Sequence, residues 1–103
     1  MRTHRIFPGT TSFLILLALA EGPSSGSDIQ SQIIADTVGR YITKSTLYDD
    51  LKRLTADGLV EPVLIHGAEK IVALTARGRK RFVLEAQLLQ MMAQTARERM
   101  ARV

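Results

Sequence analysis

The sequence predicts a mainly α fold with one small β-hairpin and a long final helix. Three patterns carry that expectation. Between Thr10 and Gly58, apolar residues cluster in three stretches bounded by capping and helix-stopping residues. Leu59–Thr75, "LVEPVLIHGAEKIVALT", then turns rich in Val, Ile and Leu around His66-Gly67-Ala68. After Gly78 no Gly or Pro interrupts the chain.

The first helix is expected to start at Thr10 or Thr11, whose side-chain oxygen caps free backbone N–H groups. It should stop at Gly22-Pro23, because Gly tolerates the terminating left-handed residue and Pro cannot continue. Its run "FLILLALA", Phe13–Ala20, is apolar all round and so belongs at the centre of the core. A buried strand is the rival, but Leu and Ala favour helix. The run is far shorter than the roughly 20 residues that cross a bilayer. It could pass for the apolar stretch of a signal peptide. Cleavage after Ala20 would remove a core element, and Glu21-Gly22-Pro23 suits a helix stop better. The expectation is a cytoplasmic protein without a membrane partner.

The second helix starts near Ser25, with Asp28 three residues on, at the positive end of the helix dipole. Ile29, Ile33 and Ile34 form its buried stripe, and Val38-Gly39 closes it. Thr43 caps the third helix, Leu47, Leu51 and Leu54 turn inward, and Asp57-Gly58 ends it. Two short strands follow, joined by a tight turn in which Gly67 takes an unusual backbone conformation. Pro62 suits an edge strand or a strand's first residues. Thr75 caps the last helix, which runs about 40 Å if helical to its end. Leu89, Met92, Ala96, Met100 and Val103 make one apolar seam on it, and Leu84, Leu88 and Met91 a second line. So much apolar surface calls for a second copy of the chain, the alternative being that the helix folds back on its own core. The dimerisation residues are therefore expected to be Phe82, Leu84, Leu88, Leu89, Met92, Ala96 and Met100.

Composition narrows the function. Lys and Arg outnumber Asp and Glu by 14 to 10 in a chain of 103 residues. Residues 63–81 hold five bases and one acid, which accounts for the net charge of +4. A basic protein suits a polyanionic partner. There is no cysteine, and neither His4 nor His66 has a second ligand nearby, so no metal site is expected. No nucleophile–base pair and no glycine-rich phosphate loop stands out. The expectation is no enzyme, no catalytic residue and no cofactor.

Three helices, a hairpin and another helix is the order of a winged helix-turn-helix with a long C-terminal dimerisation helix. That order divides the chain into a DNA-binding unit, 1–74, and a dimerisation helix, 75–103. In this architecture the third helix enters the major groove of double-stranded DNA. The leucine stripe leaves Lys44, Ser45, Tyr48 and Lys52 on its outward face, and Asp49 is a further candidate base reader. Thr43, Arg40, His66 and Lys70 complete the candidate DNA-binding set. Lysines on a solvated face would also be ordinary, and Tyr48 could equally be a half-buried packing residue. Asp49 and Asp50 argue against DNA unless one turns away, toward Arg53 or Arg40, or accepts from a cytosine amino group. The cluster "RGRKR", Arg77–Arg81, opposes the helix dipole, which suggests either a DNA contact beside the wing or a solubilising patch.

Three motifs resemble the PadR-like family of bacterial transcriptional regulators. They are "LLALAEGPSSGSDI" (Leu16–Ile29), "STLYDDLKRLTADGLVEP" (Ser45–Pro62) and "LTARGRKRF" (Leu74–Phe82). Together they span about residues 12–82 in family order and spacing. The resemblance implies a homodimeric repressor with one long dimerisation helix. On that picture two copies of the third helix would meet an inverted-repeat operator. Any small-molecule effector would enter the interdomain or dimer groove near Phe82, Leu89 and Met92.

Several positions depart from the family pattern. Ser25 and Ser27 stand where His and Tyr often flank the glycine, Lys44-Ser45 where Pro-Gly is common, and Asp49-Asp50 where basic or small residues follow the tyrosine. The absence of Trp removes the tryptophan sandwich by which some members hold flat aromatic drugs. A second class of function stays open: a winged-helix protein-interaction module without DNA binding, motivated by Asp49-Asp50 and a wing with few cations. A steep loss of binding with salt would separate the two.

Overall fold

The computed structural model describes residues 11–37 and 41–102. The element order is α1 (Thr11–Leu19), β1 (Ser24–Ser25), α2 (Gly26–Asp36), α3 (Lys44–Ala56), β2 (Val60–His66), β3 (Glu69–Leu74) and α4 (Ala76–Ala101). This is a winged helix-turn-helix followed by a long helix.

α1 supplies the centre of the core. Phe13, Leu14, Ile15, Leu16, Ala18 and Leu19 are all buried. They meet Ile29 and Ile33 of α2, the leucine stripe of α3, and Val60, Val72 and Leu74 of the sheet. Burying a side chain of this size contributes about 1.5–3 kcal/mol. Ile34 departs from the expected α2 stripe, being 36% exposed. Ile29 and Ile33 stand four apart on one face, and Ile34 sits about 100° further round, beyond α1 and α3. The expected closure at Val38-Gly39 lies outside the described residues.

Caps form where Ser, Thr and Asp suggest them. Ser25 Oγ accepts from Asp28 N at 3.2 Å. Thr43 Oγ1 accepts from Thr46 N at 3.1 Å, and Thr75 Oγ1 from Gly78 N at 2.9 Å. Gly58, after α3, and Gly67, in the hairpin turn, have φ of 77° and 64°, values that favour glycine.

Among the described residues the sheet has three strands in the order β1-β3-β2, not the two expected. β1 pairs antiparallel with β3, Ser24 opposite Val72 and Ser25 opposite Ile71. Two serines are too short and too polar to carry a period-2 signal. β2 is an edge strand containing Pro62, and a bulge at Val63 interrupts its register with β3. Pro and bulge together blunt that edge against pairing with another chain.

α4 begins against the sheet and then leaves the domain. Phe82 stacks on Phe13 of α1, ring centroids 5.7 Å apart, and Ala86 and Leu89 lie on the same face against the core. The molecule measures 55 × 30 × 21 Å, so a helix of 26 residues, about 39 Å long, outruns the domain that starts it. No described helix is long and apolar enough to cross a membrane.

Candidate nucleic-acid interface

α3 owes its orientation to the leucine stripe and to the way its start is held. Leu47, Leu51 and Leu54 are buried, so the opposite face must point outward. Gln30 Nε2 of α2 donates to the Ile42 carbonyl at 2.7 Å, tying down the segment that enters α3. Thr43 is spent as the cap, its hydroxyl accepting from Thr46 N and donating to Thr46 Oγ1. Lys44, Ser45, Tyr48, Asp49 and Lys52 are all exposed. Arg40 lies outside the described residues.

The two aspartates differ. Asp50 is buried and ion-paired with Arg53, three residues on. Asp49 is exposed, with no ion pair among the described residues. Tyr48 is 50% exposed and leans back toward α2. A Cβ built on Gly26 would lie 2.5 Å from its hydroxyl oxygen, so glycine there makes room for the phenol.

The wing is apolar rather than basic. Val63, Leu64 and Ile65 are exposed side by side at 49–71%. Its basic residues are Lys70 and His66, set against Glu61 and Glu69. The sequence offered a signal for this apolar run, because β2 lacks the alternation of a half-buried strand.

α4 starts at the base of the wing. Thr75 N donates to Leu59 O at 3.1 Å, and Thr75 Oγ1 to Gly58 O at 2.6 Å. β3 is six residues long, which puts the hairpin tip about 20 Å from Arg77–Arg81. The basic cluster is therefore not at the wing's tip. Within it, Arg81 reaches Glu85 at 3.5 Å.

The expected dimerisation residues divide into two groups. Phe82 and Leu89 are partly buried against the protomer's own core. Leu84, Leu88, Met91, Met92 and Met100 are 48–74% exposed, and Ala96 is exposed among them. Leu84, Leu88, Met92, Ala96 and Met100 recur at strict fours, a ridge along the outer helix. An open groove beside its start is lined by Ala76, Arg79, Lys80, Val83, Leu84 and Gln87. Among the described residues, no group of three or more His, Cys, Asp or Glu could hold a metal ion.

The profile of the transcriptional regulator PadR-like family matches residues 15–83. A PadR family transcription regulator from Clostridium difficile R20291 superposes with a TM-score of 0.78 at 18% identity, covering 89% of this chain and 99% of that one. A PadR-like transcriptional regulator from Bacillus cereus gives 0.77 at 16% identity, over 87% of this chain and 90% of that one. Bacillus subtilis PadR, solved in complex with operator DNA, gives 0.61 at 28% identity, over 71% of this chain and 44% of that one. No curated protein matches the chain.

Proposed function

Because the chain belongs to the PadR-like family of transcriptional regulators, we propose that it is a sequence-specific DNA-binding repressor. On this reading it works as a homodimer on an inverted-repeat operator, with α3 in the major groove. The observation that carries it is the split of α3 into a buried leucine stripe and an exposed face bearing Lys44, Ser45, Asp49 and Lys52. The related Bacillus subtilis protein was solved on operator DNA, which supports the same use of the shared fold.

Dimerisation rests on the exposed ridge of α4. Four large apolar side chains and Ala96 at i+4 spacing, on a helix that outruns its own domain, are shielded from water when a second copy covers them. Two copies of α3, related by the dimer axis, then meet successive major grooves, so half-sites fall about one helical turn or a multiple apart. An effector, if one acts, would use the surface of α4 where the subunits meet. Met92 lies on that outer surface, whereas Phe82 and Leu89 are partly covered by the core.

The test is binding of an upstream genomic fragment and of random duplex across a salt series. Lys44→Ala and Lys52→Ala should weaken binding to both DNAs. Each should flatten the salt slope by about one unit for every phosphate that the complex no longer neutralises. One observation favours the other reading, a winged-helix protein-interaction module: the exposed apolar run Val63–Ile65. If the dimer shows no preference for its own upstream region and the lysine variants change nothing, that module is the better account.

A further inference from the structure

We propose that Asp49 is a specificity-determining residue, accepting a hydrogen bond from the amino group of a cytosine in the major groove. The inference rests on the DNA-binding reading above and names the base that α3 selects.

The helix phase singles out this residue. Asp49 lies two positions from both Leu47 and Leu51, about 200° round the helix from each. It therefore points directly away from the core. Ser45 and Ala56 share its line, one turn before and two turns after, and both are small. Neither overhangs the carboxylate, so the helix can approach the groove floor closely enough for a short side chain to reach a base edge.

Among the described residues, the neighbouring charges leave Asp49 without an ion pair. Arg53, four residues on, would be its natural helix partner, but Arg53 is engaged by the buried Asp50. Lys52 is exposed and makes no ion pair with Asp49. One of two adjacent carboxylates is thus paired within the fold, and the other, with no ion pair among the described residues, stands at the centre of the face.

A bare carboxylate in a groove walled by phosphates weakens binding unless it meets a donor. An ionised carboxylate only accepts. Guanine shows O6 and N7 there and thymine O4, all acceptors that repel it. Adenine has the N6 donor, but N7 lies beside it. Cytosine presents its N4 amino group with no acceptor of its own on that edge. Each half-site should therefore carry one cytosine, related to the other by the operator's two-fold axis. Asp49 would exclude other bases as much as it attracts this one, which suits a device for specificity rather than affinity.

The experiment is selection from a random duplex pool by the intact protein, with Asp49→Ala, Asp49→Asn and Lys52→Ala run in parallel. Light scattering and circular dichroism would confirm that each variant is folded and in the wild-type oligomeric state. The wild-type motif should contain a cytosine at one symmetric position of each half-site. Asp49→Ala should lose the preference there alone, with discrimination falling roughly 10- to 150-fold, the worth of one hydrogen bond to a charged group. Asp49→Asn should move the preference toward adenine, which an amide can pair with bidentately. Lys52→Ala should weaken binding with the motif intact, which separates a change in base reading from a change in affinity. A motif that Asp49→Ala selects unchanged overturns the inference and leaves DNA binding standing. If the wild type enriches nothing, the DNA-binding reading falls and the inference falls with it.

Discussion

Replacing Gly78 with Ala should destabilise the protein, although alanine is the better helix former. Gly78 sits in the first turn of α4 and is buried. A Cβ built there falls 1.9 Å from the carbonyl oxygen of Leu59. An ordinary carbon–oxygen contact is about 3.3–3.6 Å, so the helix start must withdraw by about 1.5 Å. Leu59 cannot give way easily. Its N–H donates to Leu54 O at 2.9 Å, and its carbonyl accepts from Thr75 N at 3.1 Å. Withdrawing the helix strains the Thr75 cap, which is worth about 0.5–2 kcal/mol. Crowding a packed site costs about 1–3 kcal/mol more. The gain in helix propensity returns about 1 kcal/mol, leaving a net loss of about 2 kcal/mol. For a domain of this size that lowers Tm by roughly 10 °C. The assay is thermal and urea unfolding at one fixed protein concentration, since dimerisation makes Tm depend on concentration. Gly26→Ala is the control. There the crowding atom is the hydroxyl of Tyr48, the far end of a half-exposed side chain that can swing aside. It should cost little. A Gly78→Ala protein as stable as wild type, or no less stable than Gly26→Ala, would refute the close-approach argument.

Light scattering should give twice the protomer mass of 11.4 kDa, and Leu84→Glu with Leu88→Glu should give a folded monomer. Phe82→Glu should instead unfold the chain, because it breaks the stack on Phe13 inside the protomer. Thr43→Ala should cost about 1 kcal/mol of stability in urea unfolding, through loss of the α3 cap.

The boundaries of α3, the turn at Gly67 and the caps at Ser25, Thr43 and Thr75 were legible because each has a local cause. A side-chain oxygen next to free N–H groups, or a glycine where φ is positive, acts within a few residues. What the sequence left hidden depends on the meeting of distant segments. β1 exists only because β3 passes beside Ser24 and Ser25. The role of Gly78 depends on a carbonyl 19 residues earlier in the chain. The apolar spacing along α4 revealed an excess of apolar residues but could not divide it between the protomer's core and a partner. Phe82, Ala86 and Leu89 follow 3.6-residue spacing toward α1, while Leu84, Leu88 and Met92 follow fours away from it. The aspartate pair behaves in the same way on α3. Asp49 and Asp50 are chemically identical neighbours, and composition treats them as two equal objections to DNA. A rotation of about 100° between successive residues puts one against the core, where Arg53 neutralises it, and leaves the other at the centre of the outward face. The charge that argues against a polyanion is therefore halved by the fold. What remains stands where a single acceptor can choose between bases.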